Sequence, residues 1–257
     1  MIKTVIISAA GKGTRMKELA KDKPKHMIEV NGQPFLWHLL ENLRTAGYEK
    51  IVVVVGHLSQ HIEEFVRTYP HPITLVNQFA VMGEAKYGTA IPVMAAREAT
   101  NGHAFLALYG DNLYSVRDLK AMNRDDGNCY VGALPREDYQ KYGVLIPDVE
   151  GKLQEIIEKP DHDVGSKLIN TGLFVFTPEI FGACDRVQPT PPKNEYYLTD
   201  AVTELSRQGK VRIQTIQDYW KDFGSPDDVG TVSRFLQSRA PAPLVPSERD
   251  SDAGLKA

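Results

Sequence analysis

Short apolar runs and amphipathic stretches alternate along the first half of the chain. Four apolar runs, of which the first three are rich in β-branched residues, predict buried strands, at residues 3–9, 51–55, 73–76 and 104–108. Three stretches with apolar residues at helical spacing predict helices, at residues 34–47, 58–67 and 90–99. Strands that alternate with helices form βαβ units. This half of the chain therefore predicts an α/β fold with a largely parallel sheet, covered by helices on both faces.

The pattern changes after residue 126. Four strand-like segments follow with short connections, at residues 129–134, 143–146, 153–157 and 168–176. Helical spacing returns at residues 198–207 and 226–236, so we expect an added small sheet region that completes one domain over residues 1–238. Residues 239–257 lose this periodicity and gain Pro, Ala and Ser, which predicts a disordered, low-complexity tail.

Composition narrows the class of partner. The 257 residues carry a formal net charge of -3, so no global positive field favours nucleic acid or an anionic membrane. The longest apolar runs fall far short of the ~20 residues that cross a bilayer, and no signal peptide is evident. Two cysteines cannot form a disulfide framework. We expect a cytoplasmic enzyme or binding domain for a small molecule, and a homo-oligomer is left open.

A glycine-rich segment, AAGKGTRM at residues 9–16, follows the first predicted strand. Glycine lets backbone N–H groups close on an anion at the carboxyl end of a strand, which favours a phosphate site. Met16 stands where a dinucleotide fingerprint needs a small residue, and P-loop spacing is absent. A glycine turn among solvated lysines is the alternative. Arg15 and Lys25 bring two cations towards the loop, which favours phosphate.

This segment and those after it resemble the signature of the sugar-1-phosphate nucleotidyltransferases, of uridylyl/thymidylyltransferase type. The matching motifs keep the family's order: Lys23-Pro24-Lys25, Gln78, Gly88-Thr89-Ala90, Tyr109-Gly110-Asp111, Tyr142-Gly143-Val144-Leu145, Glu158-Lys159-Pro160, Asn170-Thr171-Gly172, residues 195–200 and residues 219–226. The resemblance covers residues 3–236. It implies a Rossmann-like three-layer domain with a mainly parallel mixed sheet.

The resemblance implies transfer of a nucleotidyl group from an NTP to a sugar 1-phosphate, with release of pyrophosphate. The attacking phosphate is largely anionic at neutral pH, because its second pKa is ~6, so alignment and charge neutralisation matter more than a general base. In the family pattern Arg15 grips the departing phosphates and Lys25 neutralises the α-phosphate and sugar phosphate. The triphosphate is cradled by the loop residues Ala10, Gly11, Gly13 and Thr14.

The same resemblance implies which residues contact the nucleotide base and which contact the sugar phosphate. Gln78 would read the edge of uracil or thymine, since its amide both donates and accepts. In the family the Gly-Thr-Ala motif follows the glutamine after a short gap, but here residues 79–87 lie between Gln78 and Gly88-Thr89. Gly83 is the alternative match at the shorter spacing. The choice of nucleotide among UTP, dTTP and CTP therefore stays open. The sugar phosphate would contact residues that could otherwise belong to ordinary strands and turns: Gly143, Glu158, Lys159, Asn170 and Thr171.

Two aspartates complete the expected site. Asp111 follows a buried strand, and Asp222 lies in a predicted loop before the last helix. The resemblance implies that both hold one Mg²⁺, which prefers oxygen ligands, and that Asp111 is catalytic. Two ordinary loop aspartates are the alternative.

We expect UTP first and dTTP second as donor, with glucose 1-phosphate or N-acetylglucosamine 1-phosphate as acceptor. A CTP-dependent cytidylyltransferase acting on a sugar phosphate or a phosphocholine-like acceptor is one alternative. A catalytically silent nucleotide-binding regulatory module is another, although Arg15, Lys25 and both aspartates are present. A dinucleotide-dependent oxidoreductase is disfavoured by Met16.

Overall fold

The computed structural model describes residues 1–239. Its strands are β1 (Thr4–Ser8), β2 (Glu29–Val30), β3 (Gln33–Pro34), β4 (Lys50–Val55), β5 (Ile73–Asn77), β6 (Phe105–Tyr109), β7 (Asn112–Tyr114), β8 (Cys129–Pro135), β9 (Gly143–Pro147), β10 (Leu153–Glu158), β11 (Leu168–Phe176), β12 (Val211–Thr215) and β13 (Trp220–Asp222). Its α-helices are α1 (Phe35–Thr45), α2 (Ser59–Thr68), α3 (Gln78–Met82), α4 (Ala90–Ala95), α5 (Val116–Ala121), α6 (Glu179–Arg186), α7 (Leu198–Ser206) and α8 (Pro226–Arg239).

Nine of these strands form one mixed sheet. Its parallel part comes from the first half of the chain, where β1 lies between β4 and β6, and β5 pairs with β4. Its other part is built around β11, which runs antiparallel to β6, β8 and β9; β10 and β12 extend it. The predicted α/β fold with a mixed sheet is confirmed, and the added region is continuous with the first half.

Alternate side chains of the central strands enter two separate cores. In β4, Ile51 and Val53 face one core, whereas Val52 and Val54 face the other. Buried residues of α1, α2 and α8 cover the first face, and those of α4, α6 and α7 cover the second. This period of two, with both faces buried, explains the continuous apolar runs and produces the predicted three layers.

Several short elements depart from the sequence expectations. The helix predicted over residues 90–99 ends at Ala95, and a 3₁₀ turn follows at Arg97–Thr100. Asp222 was expected in a loop, but it ends β13, which pairs antiparallel with β7. Helix α8 reaches Arg239, so the first residue of the predicted tail is helical, and the rest of that prediction lies outside the described residues. Among residues 1–239, no helix is both long and apolar enough to span a membrane.

Candidate active site

A cavity of about 260 Å³ opens where β1 and β6 end, at Ser8 and Tyr109. Eight of the predicted site residues line it: Ala10, Gly11, Arg15, Lys25, Gln78, Gly88, Thr89 and Asp111. Six further lining residues were not assigned a role from the sequence: Ser8, His26, Tyr87, Pro92, Tyr109 and Glu195. The carboxyl edge of the parallel strands is the expected place for a ligand in such a sheet.

The glycine-rich loop turns sharply before it reaches the cavity's cations. Gly13 has a φ of 63°, in the left-handed region, and leads into a 3₁₀ turn that begins at Thr14. A Cβ on Gly13 would lie 3.4 Å from the Cβ of Ala20 and 3.6 Å from that of Lys25, so the loop is closely packed on both. Glycine permits this conformation without strain. Gly13 and Thr14 adjoin the cavity but are not among its described lining residues.

Lys25 and Asp111 form an ion pair in the cavity. Their side chains are 13% and 16% exposed, so water screens the pair only partly. Burial alone would raise the pKa of Asp111, but the charge and hydrogen bond of Lys25 outweigh it and hold this pKa below its ordinary value. Asp111 is therefore an anion in the folded protein at neutral pH.

The second aspartate reaches the site through the β7–β13 pair. Asp222 pairs in register with Asn112, and the backbone N–H of Phe223 donates to the Asp111 carbonyl at 2.8 Å. Burial and the nearby charge of Asp111 raise the pKa of Asp222 to about 6. Two close carboxylates that repel each other favour a bound cation, and oxygen donors suit Mg²⁺. Within residues 1–239, no group of three or more His, Cys, Asp and Glu forms an alternative metal centre.

Arg15 and Asp222 meet over Gly224. A Cβ on Gly224 would lie 3.2 Å from Oδ1 of Asp222 and 3.3 Å from Nη2 of Arg15. A side chain at this position would therefore have to shift the Arg15 guanidinium or the Asp222 carboxylate. The loop cations and the aspartate pair consequently belong to one continuous site.

Gln78, the residue predicted to read the base, lines the cavity and is the first residue of α3. The side chain of Asn77 caps this helix by accepting hydrogen bonds from the N–H groups of Phe79 and Ala80. Gln78 is only 2% exposed, and its Oε1 has no hydrogen-bond partner among the described residues. Gly88 lines the cavity, whereas Gly83, the alternative match, is not among the described lining residues.

The predicted sugar side lies next to the cavity and not in its lining. Gly143 and Glu158 are opposite each other on β9 and β10, and a Cβ on Gly143 would lie 3.0 Å from Oε1 of Glu158. Burial raises the pKa of Glu158 above its ordinary value, although the charge of Lys159 opposes the shift. The Oδ1 of Asn170 accepts from the N–H of Gly172 at 2.9 Å. The roles of these residues stay predictions.

Thr171, the last residue of the predicted sugar side, is bonded within the sheet. Its side chain is 1% exposed, and its hydroxyl donates to the Gly132 carbonyl at 2.9 Å. Its own carbonyl accepts from the Tyr114 hydroxyl and from Nε1 of Trp220. The hydroxyl thus bonds within the sheet interior, and the role of Thr171 stays a prediction.

His26 and Tyr109 are two lining residues to which the sequence assigned no role. His26 is buried, both ring nitrogens lack partners among the described residues, and burial together with the charge of Lys25 lowers its pKa to about 3. The ring of Tyr109 packs on Gly172, where any Cβ would overlap it. His26 directly follows Lys25 in the motif, but no periodicity or spacing marks it as buried.

A basic glycine loop, a buried amide and two adjacent carboxylates converge at the carboxyl edge of an α/β sheet. This arrangement is typical of proteins that bind a nucleotide and its phosphates at this edge of the sheet. Comparison with known proteins agrees with that class. A nucleotidyl transferase family model matches residues 3–239, so the chain belongs to this family. It is a sugar-1-phosphate nucleotidyltransferase, as the resemblance predicted.

Individual relatives span nearly the same region. The chain is 34% identical over 242 residues to the UTP–glucose-1-phosphate uridylyltransferase AglF of Haloferax volcanii, with 90% of this chain and 96% of that protein covered. It is 30% identical over 235 residues to the bifunctional protein GlmU of Methanococcus maripaludis, of which it spans 54%. A crystal structure of a UDP-glucose pyrophosphorylase with UDP-glucose shares the fold, with a TM-score of 0.81, 22% identity, and coverage of 93% of this chain and 99% of that one.

Proposed function

We propose that the protein transfers the uridylyl group of UTP to glucose 1-phosphate or N-acetylglucosamine 1-phosphate, forming a UDP-sugar and pyrophosphate. The buried Gln78 carries the choice of base, because its amide lies on the cavity and its Oε1 has no partner among the described residues. Uracil presents an N–H between two carbonyls, which an amide can match by accepting and donating at once. Thymine has the same polar edge, so dTTP is the second donor.

The relatives support this choice of donor and acceptor. AglF, at 34% identity, is named for UTP and glucose 1-phosphate. The alignment with this chain covers 96% of AglF, so almost the whole of that protein corresponds to this chain.

The chemical step is an in-line displacement. An oxygen of the sugar phosphate forms a bond to the α-phosphorus, the bond from that phosphorus to the bridging oxygen breaks, and its electron pair leaves on pyrophosphate. Arg15 would neutralise the departing phosphates. Lys25 would transfer its contact from Asp111 to the phosphates, which keeps a cation beside the transferred group.

Asp111 and Asp222 would hold the Mg²⁺ cofactor. Their adjacency, and the raised pKa of Asp222 that it helps to cause, fit a hard cation that takes one or two carboxylates and completes its shell with phosphates and water. When bound, the ion supplies positive charge that offsets the repulsion between the two phosphate groups.

A substrate matrix tests the proposal. The purified protein, with Mg²⁺, is incubated with UTP, dTTP, CTP, ATP or GTP and with glucose, N-acetylglucosamine or mannose 1-phosphate or phosphocholine. Pyrophosphate release and product mass identify each reactive pair. UTP with one of the first two sugars should react fastest. Faster reaction with a purine nucleotide contradicts the assignment of Gln78, and no pyrophosphate from any pair contradicts the proposed function.

A further inference from the structure

One carboxylate oxygen fixes the turn between β13 and α8. The Oδ2 of Asp228 accepts from the backbone N–H of Gly224 at 3.0 Å, and from the N–H and the hydroxyl of Ser225 at 2.7 Å and 2.8 Å. The N–H of Asp228 donates in return to the Ser225 carbonyl at 3.1 Å. A single side chain in the first turn of α8 therefore holds two successive residues of the chain that leads into this helix.

The bond to Gly224 exceeds what capping of the helix requires. An acidic side chain at the third position of a helix commonly accepts from the N–H of the residue that precedes the helix, which is Ser225 here. Gly224 lies one residue further back, so its bond to Asp228 does not cap α8. This bond instead fixes the residue on which Arg15 and Asp222 both pack.

Arg15 and Asp222 place opposite charges against the same side of Gly224. No salt bridge joins these two described side chains. The residue between Asp222 and Gly224 is also held, because the Phe223 ring stacks on that of Phe35 with 4.1 Å between their centres. A shift of Gly224 would let the guanidinium pair with the carboxylate, and each would lose its proposed ligand.

We propose that Asp228 is a positioning residue, which keeps Asp222 available to a cation and Arg15 available to phosphate by holding the Gly224 backbone on which both pack. This inference rests on the proposed function, which assigns a metal ion to Asp222 and phosphate to Arg15. Asp228 acts through Gly224, since it is not among the described residues that line the cavity. Partners that orient metal ligands typically change metal affinity about 10- to 100-fold when they are removed.

The negative charge of Asp228 is the competing explanation. Burial and the charge of Asp111 raise the pKa of Asp222 most, and the charge of Asp228 adds to them. Charge alone attracts a cation and repels a phosphate, so its removal would weaken metal binding but strengthen phosphate binding. Loss of positioning weakens both, because the two ligand-binding side chains then pair with each other. The direction of the change in phosphate binding therefore distinguishes the two explanations.

Two substitutions separate the hydrogen bonds from the charge. Asp228→Ala removes both, whereas Asp228→Asn removes the charge and keeps one oxygen that can accept from the turn. Dissociation constants are measured with the full chain, by electron paramagnetic resonance for Mn²⁺ alone and by calorimetry for tripolyphosphate without metal. Asp228→Ala should weaken Mn²⁺ binding about 10-fold or more and tripolyphosphate binding about 2- to 10-fold. Asp228→Asn should weaken both, by smaller factors.

Asp227→Ala is the matched control. It removes the same charge from the same turn of α8, but its side chain is exposed and holds neither Gly224 nor Ser225, so both dissociation constants should stay close to those of wild type. Amide hydrogen exchange at Gly224 and Ser225 tests the contacts themselves. It should be faster in Asp228→Ala than in wild type and Asp227→Ala.

A merely structural role would lower the unfolding free energy and leave the folded protein's affinities unchanged. Unchanged binding of both probes by folded Asp228→Ala, or unchanged exchange at Gly224, therefore overturns the proposal. Tighter tripolyphosphate binding assigns the effect to charge and also overturns it. Where Asp228→Ala does not fold, Asp228→Asn decides: unchanged or tighter tripolyphosphate binding overturns the positioning role.

The outcome is separable from that of the proposed function, because neither probe requires turnover. A protein that shows the predicted binding changes but releases no pyrophosphate in the substrate matrix contradicts the proposed function alone. Normal turnover without those changes contradicts only the role of Asp228. Wild type that binds neither Mn²⁺ nor tripolyphosphate overturns the positioning role, because there is then no ligand for which Asp222 or Arg15 is positioned.

Discussion

Lys25 and Asp111 are 86 positions apart in the chain and form an ion pair with both side chains more than four-fifths buried. Lys25 is the expected phosphate clamp, and Asp111 is the expected metal ligand. The two side chains therefore neutralise each other until substrate phosphates and a cation provide other partners. Lys25 differs in this respect from Arg15, the other cation expected to contact phosphate. Arg15 forms no salt bridge with any of residues 1–239.

Removing Arg15 or Lys25 should lower activity to a similar extent, but removing Lys25 should lower the free energy of unfolding more. Arg15→Ala and Lys25→Ala should each reduce the rate roughly 10²–10³-fold, because a preorganised charge is lost. Lys25→Ala also leaves the Asp111 carboxylate without its partner, which should cost about 1–3 kcal/mol of unfolding free energy. Denaturant unfolding and pyrophosphate release measure both effects. Adding Asp111→Ala to Lys25→Ala should restore most of the stability and none of the activity; a further loss of stability would contradict the pairing.

Neutralising either aspartate should abolish most activity. Asp111→Asn and Asp222→Asn keep the side-chain shape and remove a metal-binding charge, so turnover should fall while nucleotide binding without metal persists. Wild-type turnover should stop in excess chelator and return with Mg²⁺ or Mn²⁺. Asp126→Asn, on an exposed turn, is the control and should behave as wild type. Full turnover by either site variant, or in chelator, would show that the metal site is misplaced.

Gln78 should control which base is accepted. Gln78→Ala should raise the KM for UTP and reduce the preference for UTP over CTP, because the matching amide is gone. Gln78→Glu should weaken UTP more, since a carboxylate cannot donate. The wild-type preference for UTP over dTTP should not exceed roughly 10–200-fold, as one methyl group is worth only ~1–3 kcal/mol. Gln208→Ala, at an exposed position, is the control; an unchanged base preference in both Gln78 variants would refute the assignment.

The buried histidine should make the protein sensitive to acid. Burial first, and Lys25 second, lower the pKa of His26 from 6.5 to about 3. The unfolded chain takes up this proton as the pH falls below 6.5, whereas the folded protein does not until about pH 3. The stabilising contribution is therefore complete above pH 6.5 and is lost as the pH falls towards 3. His38, whose pKa burial also lowers, contributes in the same direction.

His26→Met tests this contribution, because a flexible apolar side chain fills the same space without a titratable group. The unfolding free energy, measured in denaturant with chelator at several values between pH 7 and pH 4, should fall less steeply in the variant than in wild type. His57→Gln, at an exposed position, is the substitution control. An equally steep fall in His26→Met would assign the acid sensitivity to other groups.

The central strands and the glycine-rich loop could be predicted from the sequence, because apolar runs and glycines mark them clearly. Apolar runs marked β1, β4 and β6 to within one or two residues, and glycines marked the loop at their carboxyl edge. Three-residue strands carry too little periodicity to detect. The pairing of β7 with β13, which brings Asp222 beside Asp111, was therefore invisible, although the motif named both residues.

The remaining differences concern the direction in which a side chain points. Asn170 and Thr171 are neighbours in one motif, but successive residues of a strand face opposite sides, and the Thr171 hydroxyl is bonded within the sheet. Tyr87 was missed because its position depends on its pairing with the segment around Tyr196, more than a hundred residues later. Neither relationship leaves a signal in local composition.

Because β13 lies late in the chain, its pairing with β7 can form only late in synthesis. The glycine loop, Lys25 and Asp111 leave the ribosome early, together with all the strands of the parallel part. Asp222 emerges more than a hundred residues later, just before α8. A nascent chain therefore contains the expected phosphate-binding groups before it possesses both candidate metal ligands, and the proposed site is complete only when this late three-residue strand pairs with β7.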